Sequence, residues 1–496
     1  MESITPARVR FAPSPTGRMH LGSARTALYN YLLAQRTGGQ FILRLEDTDV
    51  NRFVEGSEEE LMHGLRWLGL QWDEGLDVGG PYGPYRQSER KEIYLEYARK
   101  LVDSGHAYAC FCSKERLDGV RQEQMKRKES LHYDGTCRNL SKETAGRRIT
   151  DGEPYVIRFK TPRDGSISSH DALRGEIIVE NKNIDDYVLV KSDGWALYHL
   201  AAMVDDHLMK ITHVIRGSEW LSTFPLHVHI VRAFGWEEPE WVHLSVFLKP
   251  SGKGKMSKRD AADALDSGYS IFITDLEKLG YIPEGVLNWI LLMGWGIAEG
   301  EFMTLPEMVQ KFDIDRVNPS PAAIDFAKLD YFSGAHIRNL TNEDVSSRVK
   351  PYFEKAGYQV DDRKMIQIIP ILRERLVTLD DALFFAGFFF KDDIEPALAD
   401  LIGKNLTAAE SAKIVQRSGE ILASLDEITP ELAEPPMRLM VDELGLKAGQ
   451  VFGILRVAVT GQAISPPLFE SMEIIGKTKV LERLKKAIEI LASGTE

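Results

Sequence analysis

Three stretches of this chain hold residue types that chemistry uses at close spacing. The first is PSPTGRMHLGS, from Pro13 to Ser23. Pro13, Pro15 and Gly17 break both strand and helix, so the chain must turn between the alternating run before them and the helical periodicity after them. A turn leading from a strand to a helix N-terminus presents free N–H groups and the positive end of the helix dipole to an anion. His20 can donate to a phosphate oxygen there, and Gly22 lets an adenine or ribose approach the backbone closely. The second stretch, KGKMSKRD from Lys253 to Asp260, is a glycine-rich basic loop carrying Lys255, Lys258 and Arg259. Its cations suit charge building on a phosphoryl group, although a basic loop is often only solvated. The third is a set of thiols, Cys110 and Cys112 as CFC and Cys137 in HYDGTC. Thiolates this close suit a soft tetrahedral ion such as zinc; the other reading is three reduced thiols packed as small hydrophobes.

Several elements must position these groups. Val9 and Phe11 alternate with charged neighbours, which predicts a first strand ending at the turn. From Ser23, apolar Ala24, Ala27, Leu28, Tyr31 and Leu32 predict a helix stopped by Gly38 and Gly39. FILRLEDTD, from Phe41 to Asp49, predicts a second strand whose acidic end faces the ligand crevice of a parallel sheet. Glu46 is thereby placed to hold a substrate ammonium, with Arg44 expected on the opposite side. SEEELMHGLRWLGLQWD reads as an amphipathic helix capped by Ser57 with Glu60 in a capping box. GGPYGPYRQSER is a loop, and RKEIYLEYARKLVDSG a helix ended by Gly105. From about His106 to Tyr187 the pattern changes: PYVIRFK, GEIIVE and DYVLVKSDGWALYHLA predict strands of an inserted domain, with Asp193-Gly194 as a hairpin turn and Tyr198 on the returning strand. KITHVI predicts a strand running up to Arg216, and beyond about Arg316 the chain reads as amphipathic helices without strands.

Composition narrows the class. A chain of 496 residues is too long for one core, so two to four domains are expected. No apolar run approaches the ~18–20 residues that span a bilayer, and no secretory leader is visible, so a cytoplasmic protein is expected. Three cysteines, an odd number, argue against a disulfide framework. A net charge of −13 excludes a protein that coats nucleic acid non-specifically, but local basic tracks such as MKRKE, GRRIT and RKMIQIIPILRERL remain.

PSPTGRMHLGS, FILRLEDTD and KGKMSKRD, in that order and spacing, resemble the hallmarks of the class I glutamyl-tRNA synthetases. The resemblance runs on through RWLGL (Arg66–Leu70), GPYRQSER (Gly83–Arg90), HLAAMVDDHLM (His199–Met209), THVIRGSEWL (Thr212–Leu221) and AVTGQAISPPLFE (Ala458–Glu470), covering nearly the whole chain. It implies an α/β fold: a Rossmann-type catalytic domain, with an inserted acceptor-end-binding domain, then an all-α anticodon-binding region. The implied boundaries are catalytic 1–105, insertion 106–190, catalytic 191–260, a helical stem-contact region 261–320 and the anticodon-binding region 321–496.

The resemblance also implies roles. Pro13, His20, Gly22, Ser23 and Lys258 would bind ATP, with His20, Gly22, Lys255 and Lys258 acting in catalysis. Arg10, Ala12, Ser14, Glu46, Tyr198 and Arg216 would hold glutamate, while Ala202 adds no polar contact. Which arginine reads which carboxylate stays open. Cys110, Cys112, Tyr133 and Cys137 would hold zinc, with Asn139 standing where other members have a histidine. Arg375, expected at the start of a helix, would read the last anticodon base. ATP, Mg²⁺ and tRNA-Glu are the implied cofactors and partner of a monomeric enzyme away from membranes. Two rivals are a non-discriminating enzyme that also charges tRNA-Gln and an RNA-binding relative without ligase activity; the intact HLGS and KMSKR motifs argue against the latter.

Overall fold

The computed structural model describes residues 5–49, 52–256, 260, 264–296 and 300–493. They form two compact units: residues 1–276 with 287–326, and residues 277–286 with 327–496.

The first unit is built on parallel strands. Strand β1 (Arg8–Phe11) leads into helix α1 (Leu21–Thr37) and back to β2 (Gln40–Leu43), which pairs parallel with β1. Helix α1 begins two residues before the expected Ser23 and ends where expected, at Gly38 in the left-handed conformation (φ 66°). Helix α2 (Ser57–Trp67) departs from its predicted cap. Gly56 takes the N-cap place, Ser57 Oγ donates to the Val54 carbonyl at 2.6 Å, and Glu60 turns outward to Arg18 and Thr274. The stronger donors outside the helix draw Glu60 away from its own N-terminus. Helix α3 (Lys91–Asp103) leads to β3 (Ala107–Cys110).

The stretch expected as an insertion carries helices α4 (Lys114–Lys126) and α5 (Lys142–Thr150), and β4 (Val156–Phe159) pairs antiparallel with both β3 and β7 (Val188–Val190). Its strand β5 (Ser166–Asp171) went unforeseen because SISSHD is polar, though its inner residues alternate into the core. Strand β6 (Gly175–Glu180) covers its edge. The Asp193-Gly194 turn forms with Gly194 at φ 80°, and the Lys191 N–H donates to the Trp195 carbonyl. The chain does not return as a strand to Tyr198, however: Tyr198 opens helix α6 (Tyr198–Leu208). Strand β8 (His213–Gly217), helix α7 (Phe224–Ala233) and β9 (Glu240–Leu244) complete the platform. β9 lies between β8 and β5, parallel to both, and the Thr212 N–H donates to the Arg8 carbonyl at 2.9 Å, which sets β8 beside β1. Phe11 and Leu43 end paired strands together, as do Gly217 and Leu244, so the carboxyl ends share one side.

Phe247–Leu248 pairs parallel with Ala322–Ala323, a two-residue strand in the stretch expected to be helical throughout. Two small residues carry no readable period, so only tertiary pairing reveals it. The second unit is a stack of helices from about 326 to 493 around one core that includes Phe353, Ile368, Leu372, Leu455 and Leu484. Buried Arg483 caps the Val459, Phe388 and Lys391 carbonyls. Among the described residues no helix is long and apolar enough to cross a membrane.

Candidate active site

Helix α1 opens on His20. Its Nδ1 accepts the Gly22 N–H at 3.0 Å, so in the neutral ring the proton sits on Nε2, which faces Ser23 Oγ at 3.3 Å. A donor nitrogen thus stands at the helix N-terminus, ready for an anion. A Cβ at Gly22 would meet His20 Cε1 at 2.9 Å, so the glycine leaves room for the ring in this position. His20 is solvent-accessible, yet partial desolvation lowers its pKa, with Glu219 opposing and Lys255 adding to the shift. Lys255, exposed on the returning arm of a turn at Lys249–Gly254, is therefore near enough for its charge to reach His20. Lys258 and Arg259 lie outside the described residues. Pro13 accepts the Glu46 N–H at 2.9 Å, bringing the turn against the end of β2, and Ser14 is exposed at the same rim with half-buried Ala12 beside it.

Behind this rim, buried charges converge. Arg10 on β1 and Arg44 after β2 share one carboxylate, Asp206 of α6. Arg10 Nε and Nη2 reach its oxygens at 2.9 and 3.2 Å, and Arg44 Nη1 donates at 2.7 Å. Contrary to the expected opposite side, Arg44 is fully buried and its Nη2 donates to Glu46 Oε1 at 3.0 Å. Residues two apart share a face, which brings the two together. Burial raises the Glu46 pKa while Arg44 and Arg10 oppose the rise. Asp205, the neighbouring carboxylate, accepts from Arg90 Nε, Gln87 and Tyr94. Tyr198 stacks on Trp220 with ring centroids 3.9 Å apart and accepts from Arg216 Nη1 at 3.4 Å. Arg216 lies within β8 and not after it, and is buried. Ala202, fully buried, sits one turn from Tyr198 on the same face of α6 and adds no polar atom.

The structure therefore brings Arg10, Glu46 and Arg216 close enough to Tyr198 for their charges to act on its hydroxyl. It adds Arg44, Asp206, Trp220, His227 and His243, to which sequence reasoning gave no role. The paired aspartates of HLAAMVDDHLM were the one available signal.

The thiols also converge. Atoms of Cys110, Cys112 and Cys137 lie within 4.8 Å of one another. The Tyr133 hydroxyl is 3.4 Å from the sulfurs of Cys110 and Cys112 and receives the Cys137 N–H at 2.8 Å. Asn139 is exposed. Arg375, expected to open a helix, instead closes a 3-10 turn (Arg373–Arg375) just past the helix Asp362–Leu372, whose periodicity hides its end. It is exposed and makes no ion pair among the described residues, and burial followed by the Arg375 charge lowers the pKa of Arg456.

The catalytic-domain profile of class I tRNA synthetases for E and Q matches residues 6–331, and an anticodon-binding-domain profile matches 344–488. Fold and pocket thus define a class I aminoacyl-tRNA synthetase. The chain belongs to the glutamate–tRNA ligases. It is 42% identical over 501 residues to the glutamate–tRNA ligase of Roseiflexus castenholzii, covering 99% of this chain and 97% of that one. It is 41% identical over 492 residues to that of Borreliella burgdorferi, covering 98% and 99%. The crystal structure of a glutamate tRNA ligase from Elizabethkingia meningosepticum in complex with its amino acid superposes with a TM-score of 0.88 at 38% identity, over 98% of this chain and 99% of that one.

Proposed function

We propose that the protein activates L-glutamate with ATP to glutamyl-adenylate and transfers the glutamyl group to the 3′ end of tRNA-Glu, releasing pyrophosphate and AMP. The observation that carries this reading is the clustering of buried Arg10, Glu46 and Arg216 around Tyr198, in the same compact unit as the His20-headed helix. Guanidinium forks suit the two carboxylates of glutamate, and the one oxygen of Glu46 not engaged by Arg44 suits the ammonium. Glutamine would turn an NH₂ toward an arginine donor and leave buried groups unpaired, at a cost of about 1–3 kcal/mol.

The α-carboxylate of glutamate attacks the α-phosphorus and the bond to pyrophosphate breaks. The substrate carboxylate is already ionised, so no side chain need act as nucleophile or base. His20 Nε2–H donates to a phosphate oxygen, and Pro13, Gly22 and Ser23 shape the nucleotide floor. Lys255 and Lys258 offset charge on the transferring and leaving oxygens. A triphosphate brought in with Mg²⁺ would have part of its charge neutralised. In the insertion, three close sulfurs with a phenol oxygen form a donor set suited to tetrahedral zinc, so Cys110, Cys112, Tyr133 and Cys137 would hold it and staple the knuckle. The exposed Arg375 would read the last anticodon base, and the protein would work as a monomer in the cytoplasm. Aminoacylation of purified tRNA-Glu and tRNA-Gln transcripts tests the reading: tRNA-Glu should be charged with glutamate, and charging of neither would refute it.

A further inference from the structure

Arg216 is tied differently from the other arginines of the pocket. Arg10 and Arg44 end on carboxylates, whereas Arg216 ends on rings. Its Nε donates to His243 Nε2 at 3.0 Å, its Nη2 to His227 Nδ1 at 3.0 Å and its Nη1 to the Tyr198 hydroxyl at 3.4 Å. A guanidinium has donors only, so both imidazole nitrogens must turn lone pairs toward it. The far side of each ring fixes that tautomer. His243 Nδ1 lies 2.7 Å from Asp171 Oδ2 and donates to it. His227 Nε2 lies 2.9 Å from His199 Nδ1 and donates to it. His227, His243 and Asp171 are all fully buried.

A carboxylate in either place would satisfy the same N–H groups and also cancel the charge, as Asp206 and Glu46 together do for Arg10 and Arg44. A neutral imidazole satisfies the donor and leaves the charge intact. After these bonds, Arg216 keeps hydrogens on Nη1 and Nη2 for an incoming carboxylate. We propose that His227 and His243 are positioning residues for amino-acid recognition: held in one tautomer by His199 and Asp171, they aim the Arg216 guanidinium while preserving its full positive charge for a substrate carboxylate. The proposal rests on reading the pocket as the glutamate site.

The arrangement has to stay neutral at the rings, and its surroundings keep it so. The charged or titratable groups around them are Arg10 on β1, Glu46 after β2, Asp171 on β5 with Arg174 behind it, and Tyr198, His199 and Asp206 on α6. Burial and then Arg216 hold His227 well below the ordinary histidine range. Burial, with Asp171 opposing, puts His243 at about 4, and burial with Arg216 puts His199 at about 4.

Paired substitutions separate the acceptor from the ring. An asparagine oxygen stands near the place of Nδ1 and a glutamine oxygen near that of Nε2, so His227→Asn and His243→Gln keep the acceptor while His227→Leu and His243→Leu remove it. In tRNA-Glu aminoacylation, each leucine variant should raise KM for glutamate by roughly 10- to 100-fold with KM for ATP unchanged, because a buried donor is left unpaired. The acceptor-retaining variants should recover most of that loss, and wild-type KM for glutamate should show no histidine titration step between pH 6 and 8. Leucine variants with wild-type KM for glutamate would overturn the proposal. So would Asn and Gln variants as impaired as the leucines, or a loss spread equally over ATP. If a leucine variant fails to fold, the Asn and Gln variants and the wild-type pH profile still decide it. A wild type that does not charge tRNA with glutamate removes the site reading itself; normal charging with unchanged variant KM removes only the histidine clamp.

Discussion

Replacing Asp206 with asparagine removes one negative charge from the buried cluster around Arg10 and Arg44 and almost no volume. Its carboxylate holds Arg10 Nε at 2.9 Å and Arg44 Nη1 at 2.7 Å, with all three side chains buried. Arg10, Arg44 and Arg90 face Glu46, Asp205 and Asp206, three charges of each sign, so D206N leaves three cations against two anions. Breaking a buried pair by removing one partner costs about 3–5 kcal/mol. All eight tryptophans lie between Trp67 and Trp295 and belong to the first unit, so fluorescence during urea unfolding reads that unit separately. With a urea slope of about 3 kcal/mol per M, the midpoint should fall by about 1–1.7 M at pH 7, and KM for glutamate should rise as Arg10 and Arg44 lose their common anchor. The pH dependence has a definite sign. Burial raises the Asp206 pKa, but Arg10 and Arg44 outweigh it and hold the carboxyl below its ordinary value. A depressed carboxylate stabilises the fold fully above its unfolded pKa, near 4, and that stabilisation is lost as pH falls through the folded value. The gap between wild type and D206N should therefore be wide at neutral pH and close in acid. A midpoint unchanged by D206N at pH 7 would refute the reasoning.

Other perturbations address the remaining groups. His20→Ala and Lys258→Ala should each lower the activation rate by roughly 10²–10³, the loss of one preorganised donor, with glutamate binding hardly changed; wild-type kcat in either variant sinks its assigned role. Elemental analysis of protein purified without added zinc should find close to one equivalent, and Cys110→Ser should lose it; a zinc-free wild type that charges tRNA fully contradicts the ligand set. Arg375→Gln should relax discrimination against tRNA-Gln by about 1–3 kcal/mol, measured as the ratio of tRNA-Gln to tRNA-Glu charging. An unchanged ratio, or efficient tRNA-Gln charging by the wild type, removes Arg375 as the discriminator.

Local signals carried the turn before α1 well. A proline-broken turn, a glycine and a helical period are encoded within a few residues, and His20 stands at the start of α1 as that pattern requires. The amino-acid pocket was harder, because it is assembled by packing. Arg44 and Glu46 are two residues apart in sequence, but their pairing is meaningful only because Asp206, 162 positions on, meets the same guanidinium. Tyr198 misled for a different reason: the Asp193-Gly194 turn does form, but the apolar run after it fits a helix as well as a strand, and α6 packs as a helix. The histidines around Arg216 lie on α6, α7 and β9, with no spacing that announces them.

Helix α6 carries Tyr198, Ala202 and Asp206 at successive four-residue intervals, so on the reading proposed above one face would meet the substrate at its first turn while it anchors two arginines at its third. Anyone redesigning the enzyme to accept a different amino acid inherits that coupling. On that reading a bulkier residue at 202, the small side chain between them on this face, would disturb both the recognising tyrosine and its electrostatic anchor, trading selectivity against folding in a single change. Trp220, which stacks on Tyr198 from a separate element, is the position from which the cavity can be resized while that helix is left alone. Libraries for altered amino-acid acceptance are therefore best seeded at Trp220, with α6 held constant.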